Sequence, residues 1–162
     1  MGEFGREERL GVVLRRQYGR VTWAQLMELG FTQAAGRWTK TGYLTRVLPR
    51  VYAVGHTAPS READLWAAVL YAGPGAQLCH ASGAHHRGLI IYPPDVIHVS
   101  TPRSKVKSIP GVIHVHVGRE LARATHNGIP TTTVAQTVLD LAAEPREFKL
   151  VRRALAVLDY QD

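Results

Sequence analysis

"VTWAQLMELGFTQAAGRWTKTGYLTRVLPRVYAVG", residues 21–55, decides how the rest of the chain is read. Thr22 precedes a short apolar run, Gln25 follows three residues later as the second half of a capping box, and Gly30 lies just past the end, so the spacing predicts a short helix. After a break at Gly30 and Phe31, Thr32 is placed to cap a further helix that ends at Gly42. Two helices joined by a tight glycine turn make a helix-turn-helix. "YLTRVL" and "RVYAVG" then alternate as two strands about Pro49, with Leu44, Val47 or Leu48, Val51 and Ala53 available to pack. A hairpin directly after the second of these helices is a wing.

A 3.6-residue period sorts the helix after Gly30 into two faces. Phe31, Ala34, Ala35 and Trp38 fall toward the other helices, while Gln33, Gly36, Arg37, Lys40 and Thr41 fall away from them. The outward face is cationic and hydrogen-bonding and holds no carboxylate. A helix of about 12 Å diameter fits the major groove of duplex DNA, where Arg, Lys and Gln meet base edges. Gln33, Arg37 and Lys40 are therefore expected near bases, and Thr32, Thr41, Arg46 and Arg50 complete the set of expected DNA contacts, the last three on the backbone. Trp23 and Trp38 are expected to pack in the core.

Upstream, "EERLGVVLRRQYG" spaces Leu10, Val13, Leu14 and Tyr18 as an amphipathic helix, acids early and arginines late. Downstream of Pro59 the text changes to an α+β pattern. "SREADLWAAVLYAG" is a helix capped by Ser60, with Leu65, Ala68, Val69 and Ala72 as its stripe, and "LCHASGAHHRGL" is a shorter one. "DVIHVSTP" and "GVIHVHVG" alternate as strands separated by the basic, turn-prone "RSKVKSIPG". "NGIPTTTVAQTVLDLAAEP" gives a turn, a threonine cap and a helix with Val134, Val138, Leu141 and Ala142 inward, and "REFKLVRRALAVLD" a last helix. The fold expected is α+β: a winged helix-turn-helix over residues 1–56, then a small α+β domain over residues 57–162.

Charge supports this division. The chain of 162 residues carries a net charge of +7, and residues 1–58 hold nine Lys or Arg against four acids while residues 59–162 hold eleven against nine. A positive field concentrated in the first third points to a polyanionic partner. The single cysteine, Cys79, excludes an intramolecular disulfide and fits a reducing compartment. No stretch reaches the roughly eighteen apolar residues of a membrane span. The expected location is the cytoplasm.

Little in the chain speaks for catalysis. There are no paired carboxylates, no glycine-rich phosphate loop and no serine-based motif, and Asp64, Asp95, Asp140 and Glu144 are each explained as caps, turns or surface residues. His114 and His116 share a strand face and His80, His85 and His86 lie close in sequence, yet no cysteine pair or carboxylate completes a zinc spacing. Neighbouring Cys79 and His80 would point roughly 100° apart on a helix, against a thiolate nucleophile. The expectation is no enzyme activity, no cofactor and no metal.

The order "VTWAQLMELGFT", "LTRVLPRVYAVG", "LCHASGAHHRGL", "IHVSTPR" and "NGIPTTTVAQTVLDLA" resembles the AbiEi family, antitoxin-type transcriptional regulators of bacterial type IV toxin-antitoxin systems. The resemblance spans about residues 21–143. It implies a winged helix that binds the operon's own promoter at repeated sequences, an α+β antitoxin domain, and a nucleotidyltransferase-like toxin as functional partner without required contact. Family members commonly carry more arginines on the recognition helix and a glycine where Arg50 stands. Modest affinity per chain, raised by several protomers on neighbouring repeats, follows. Two other readings come with the pattern: the DNA-targeting part of a larger very-short-patch-repair-like endonuclease, and a winged helix that binds protein.

Overall fold

The computed structural model describes residues 3–55, 58–118 and 120–160. The chain is α+β and divides into two compact units, Met1–Tyr71 and Ala72–Asp162. In the first, Glu3–Arg16 forms α1, with Arg15 and Arg16 in its last turn. Arg20–Thr22 follows as a strand, β1, too short to show alternation in the sequence. Trp23–Glu28 is α2. Thr22 Oγ1 accepts from the Gln25 amide at 3.1 Å and Gln25 Oε1 accepts from the Thr22 amide at 2.9 Å, so the capping box is complete.

Gly30, at φ 84°, ends α2 in the left-handed conformation that glycine adopts without a Cβ penalty. The Gly30 amide donates to Met27 O and the Phe31 amide to Leu26 O, each at 2.9 Å, a Schellman closure. That closure corrects one expectation. Phe31, not Thr32, stands at the N-cap of α3 (Thr32–Lys40) without a side-chain bond, and Thr32 is the first helical residue.

Leu44–Leu48 (β2) and Val51–Val54 (β3) form the hairpin, and the sheet runs β1-β3-β2 with both pairings antiparallel. A register shift between Arg46 and Leu48 turns Val47 outward, so Leu48 is the more buried of the two alternatives. Leu10, Val21, Leu26, Phe31, Ala35, Leu44 and Val54 form the core, with Trp23 and Trp38 packed against it. Full burial of each larger aliphatic side chain contributes about 1.5–3 kcal/mol. Arg61–Ala72 is α4, its first turn capped where Ser60 Oγ accepts from the Ala63 amide at 3.1 Å. The division between the units falls in its last turn, whereas the boundary expected from the sequence lies at 56/57.

In the second unit Gln77–Leu78 (β4), Ile97–Thr101 (β5) and Ile113–Val117 (β6) make a sheet in that order. β4 is antiparallel to β5, but β5 and β6 are parallel, joined by residues 102–112. His80–His86 is α5. Thr125–His126 (β7) and Ile129–Pro130 (β8) flank Asn127 and Gly128, both at positive φ, as in a type I′ hairpin turn. Val134–Ala143 is α6, capped by Thr133, and a 3-10 turn at Pro145–Glu147 leads into α7, Phe148–Asp159. Ala81 and Ala84 of α5, Leu141 of α6 and Val151 and Ala154 of α7 meet in one apolar cluster with Leu89 and Ile90.

The inward face of α6 differs from the expected one. Ala142 is exposed, and the polar Thr137 and Asp140 are buried beside Leu141. An apolar stripe drawn through Val134, Val138 and Leu141 has those two residues on its flank, and hydrogen bonds make their burial tolerable. Thr137 Oγ1 lies 2.7 Å from Thr132 Oγ1 and donates to Thr133 O at 2.8 Å, while Gln136 Nε2 donates to Asp140 Oδ1 at 2.7 Å. Arg87 Nε donates to Thr132 O at 2.7 Å. The threonine-rich stretch after Pro130 is therefore a scaffold that ties α5, β4 and α6 together, since the Thr132 amide also bonds Leu78 O at 2.9 Å. Among the described residues no helix is long and apolar enough to cross a membrane.

Candidate nucleic-acid interface

On α3 the inward residues are Phe31 and Ala35, both buried, and Ala34 and Trp38, both half-buried. Trp38 packs between Phe31 and Tyr43 with ring centroids 5.2 and 5.4 Å apart, which fixes the rotation of the helix. That rotation leaves Thr32, Gln33, Arg37, Lys40 and Thr41 exposed along the opposite side. The Thr41 hydroxyl donates to Trp38 O at 3.2 Å, which occupies its proton at the helix end.

Arg46 on β2 and Arg50 at the β2-β3 turn are exposed as well. Among the described residues none of Arg37, Lys40, Arg46 and Arg50 is paired with a carboxylate. Arg50 has φ 64°, a conformation that costs a non-glycine residue about 1–2 kcal/mol. Its carbonyl accepts from the Trp23 amide at 3.1 Å, so the turn is anchored to the start of α2. Arg6 behaves differently from these cations. Its Nη1 donates to Gly30 O at 3.1 Å and its guanidinium lies 5.3 Å from the Phe31 ring centroid, which ties α1 to the α2-α3 turn.

The second unit gathers a different set of groups. On β5 and β6, Ile97, Val99, Ile113 and Val115 are buried on one face, and His98, His114 and His116 occupy the other. The parallel register sets His98 opposite His114 and Ser100 opposite His116. His98 Nδ1 and His116 Nε2 are 3.0 Å apart, and His80 stacks on His116 at 3.8 Å between centroids. Burial, then the neighbouring imidazoles His116 and His114, push the His98 pKa down to about 4. Burial and the neighbours His80 and His114 take His116 down to about 3. At neutral pH both rings carry lone pairs and no net charge.

Cys79 precedes α5 in an extended conformation, φ −143°, not on the helix, so it does meet His80: Sγ and Nδ1 are 3.2 Å apart. Burial and then Asp140 hold this thiol well above the usual range, the reverse of an activated nucleophile. His80 itself has φ 48°. Asp140, read from the sequence as a cap, turn or surface group, is buried with Oδ2 4.0 Å from His80 Nδ1. The sequence could pair His114 with His116 by their spacing, but His98, His80 and Asp140 join them only through the sheet register and the packing of α5 and α6.

The family model for the AbiEi antitoxin C-terminal domain matches residues 76–160. No curated protein matches the chain. Among solved structures, the crystal structure of the RV2827C protein from Mycobacterium tuberculosis is 19% identical, with 94% of this chain and 71% of that chain covered, at a TM-score of 0.48. The family match begins within β4 and its preceding residue, ends with α7, and takes in the histidine-bearing strands and the threonine scaffold. It spans more than half of the chain, which therefore belongs to the AbiEi antitoxin family.

Proposed function

We propose that this antitoxin-family protein is a sequence-specific DNA-binding repressor of its own operon, in which the first unit is a winged helix. The observation that carries the reading is the exposed row Gln33, Arg37 and Lys40 on α3, flanked by Arg46 and Arg50 and opposed by no carboxylate among the described residues. The order α1-β1-α2-α3-β2-β3 with sheet order β1-β3-β2 supports it, because it presents α3 beside a basic hairpin. Gln33, Arg37 and Lys40 meet base edges in the major groove with Thr32 beside them, Arg46 and Arg50 hold phosphates, and Thr41 does so when its hydroxyl turns away from Trp38 O. Several protomers on repeated sites raise occupancy beyond that of one chain.

The second unit carries the antitoxin role, acting against a nucleotidyltransferase-like toxin, in the cytoplasm and without catalysis of its own. Its buried threonines and histidines are consistent with a structural and binding part in place of a reactive centre. The test of DNA binding is a titration of the purified chain against its own upstream region and against unrelated duplex at two salt concentrations. Tighter binding to the upstream region at both, with affinity falling as salt rises, is the expected result. Equal affinity for the two duplexes would leave only non-specific nucleic-acid binding.

A further inference from the structure

We propose that His98, His114 and His116 form a site for one divalent transition-metal ion of the zinc class. The ligand nitrogens of these three residues lie within 4.8 Å of one another. His114 and His116 are two apart on β6 and so share a face, and the parallel pairing of β5 brings His98 onto that same face opposite His114. Two ligands from one strand and a third from its neighbour give three imidazoles on backbone positions fixed by the register, the number that leaves one position of a tetrahedral ion open to water or another ligand.

Distances agree with this chemistry. A tetrahedral ion with bonds of about 2.0–2.1 Å to nitrogen spaces its ligands about 3.3–3.4 Å apart, and His98 Nδ1 and His116 Nε2 are already 3.0 Å apart. The ring of His116 is backed by His80, stacked at 3.8 Å with 12° between planes, which restrains it on that side. His114, exposed and stacked on His116 at 4.5 Å between centroids, is the ring that turns to complete the site. Imidazole nitrogens suit Zn²⁺, Co²⁺, Ni²⁺ and Cu²⁺, while Ca²⁺ and Mg²⁺ require several oxygen ligands and, on these two strands, this face offers the Ser100 hydroxyl alone. A second grouping, Cys79, His80 and His116, shares His116 but is built mainly from buried side chains. The exposed grouping is the one an ion reaches without opening the core.

The experiment uses the full chain, purified without a polyhistidine tag, stripped with chelator and titrated with Co²⁺, then with Zn²⁺ as competitor. About one ion per chain is expected, with visible ligand-field bands and no near-ultraviolet sulfur-to-cobalt band. Loss of a partner outside the ligand shell weakens a metal site by about 10–100-fold, so His114→Ala should weaken this one by about a hundredfold or more. His114 is exposed, and far-ultraviolet circular dichroism of that variant should match the parent. Failure to bind, or affinity unchanged in His114→Ala, overturns the proposal. So does a sulfur-to-cobalt band that vanishes in Cys79→Ala, which would place the ion on the buried grouping instead.

Discussion

The two units use polar side chains in opposite directions. In the first, α3 turns Gln33, Arg37 and Lys40 outward and fills the space behind them with Phe31, Ala35 and Trp38. In the second, Thr131, Thr132, Thr137 and Asp140 are buried, and His98 and His116 line a half-covered sheet face. A polar residue that faces solvent costs nothing to place, so its pattern follows from helix periodicity alone. A buried one must be satisfied by named partners, and those partners come from distant parts of the chain. Surface chemistry in the first unit is therefore local, and interior chemistry in the second is relational.

The largest effect should come from the apolar support of the first unit. Leu26 is fully buried at the end of α2, and Leu26→Ala should cost about 2–5 kcal/mol in urea unfolding and take DNA binding with it. A loss below about 1 kcal/mol would mean that α3 is not held by this core. In the second unit, Thr137→Ala removes one partner from the buried Thr132 hydroxyl and should cost about 1–3 kcal/mol. Affinity for DNA should survive wherever that variant remains folded. If it fell as far as in Leu26→Ala, the separation of roles between the units would fail.

Smaller effects probe the hairpin. Arg50→Gly relieves the positive-φ strain at the turn and should stabilise the chain by about 0.5–1 kcal/mol in spite of losing a cation. Denaturation with and without DNA reads both consequences, and a destabilised variant would show that the Arg50 side chain, not its backbone, holds the turn. Arg46→Ala should leave stability unchanged and make the slope of log affinity against log salt shallower by about 0.9, one phosphate's worth. An identical slope would remove β2 from the interface.

How much of this was legible beforehand follows the same division. The capping box at Thr22 and Gln25, the glycine stop at Gly30 and the two faces of α3 are all set by residues within four positions of one another, and the sequence displays each. The sequence points to Thr32 as the cap because the backward bond from the Phe31 amide is a property of the turn, not of a residue type. β1 is not visible in the sequence because only its pairing with β3 makes it a strand. In the second unit the alternation of β5 and β6 showed two strands but neither their parallel direction nor the meeting of His98 with His114 and His116. Asp140 and Thr137 lay hidden for a related reason: an apolar stripe cannot announce a buried polar group whose partners lie on other elements.

The central claim is that the outward face of α3 reads base pairs. It is tested most directly by measuring the affinity of the parent chain and of Arg37→Ala, side by side, for the upstream duplex and for an unrelated duplex at one salt concentration. Arg37→Ala should lose about 1–3 kcal/mol on the upstream duplex, with its preference relaxed at one base pair, and much less on the unrelated one. Equal losses on both duplexes, or none on either, would contradict it.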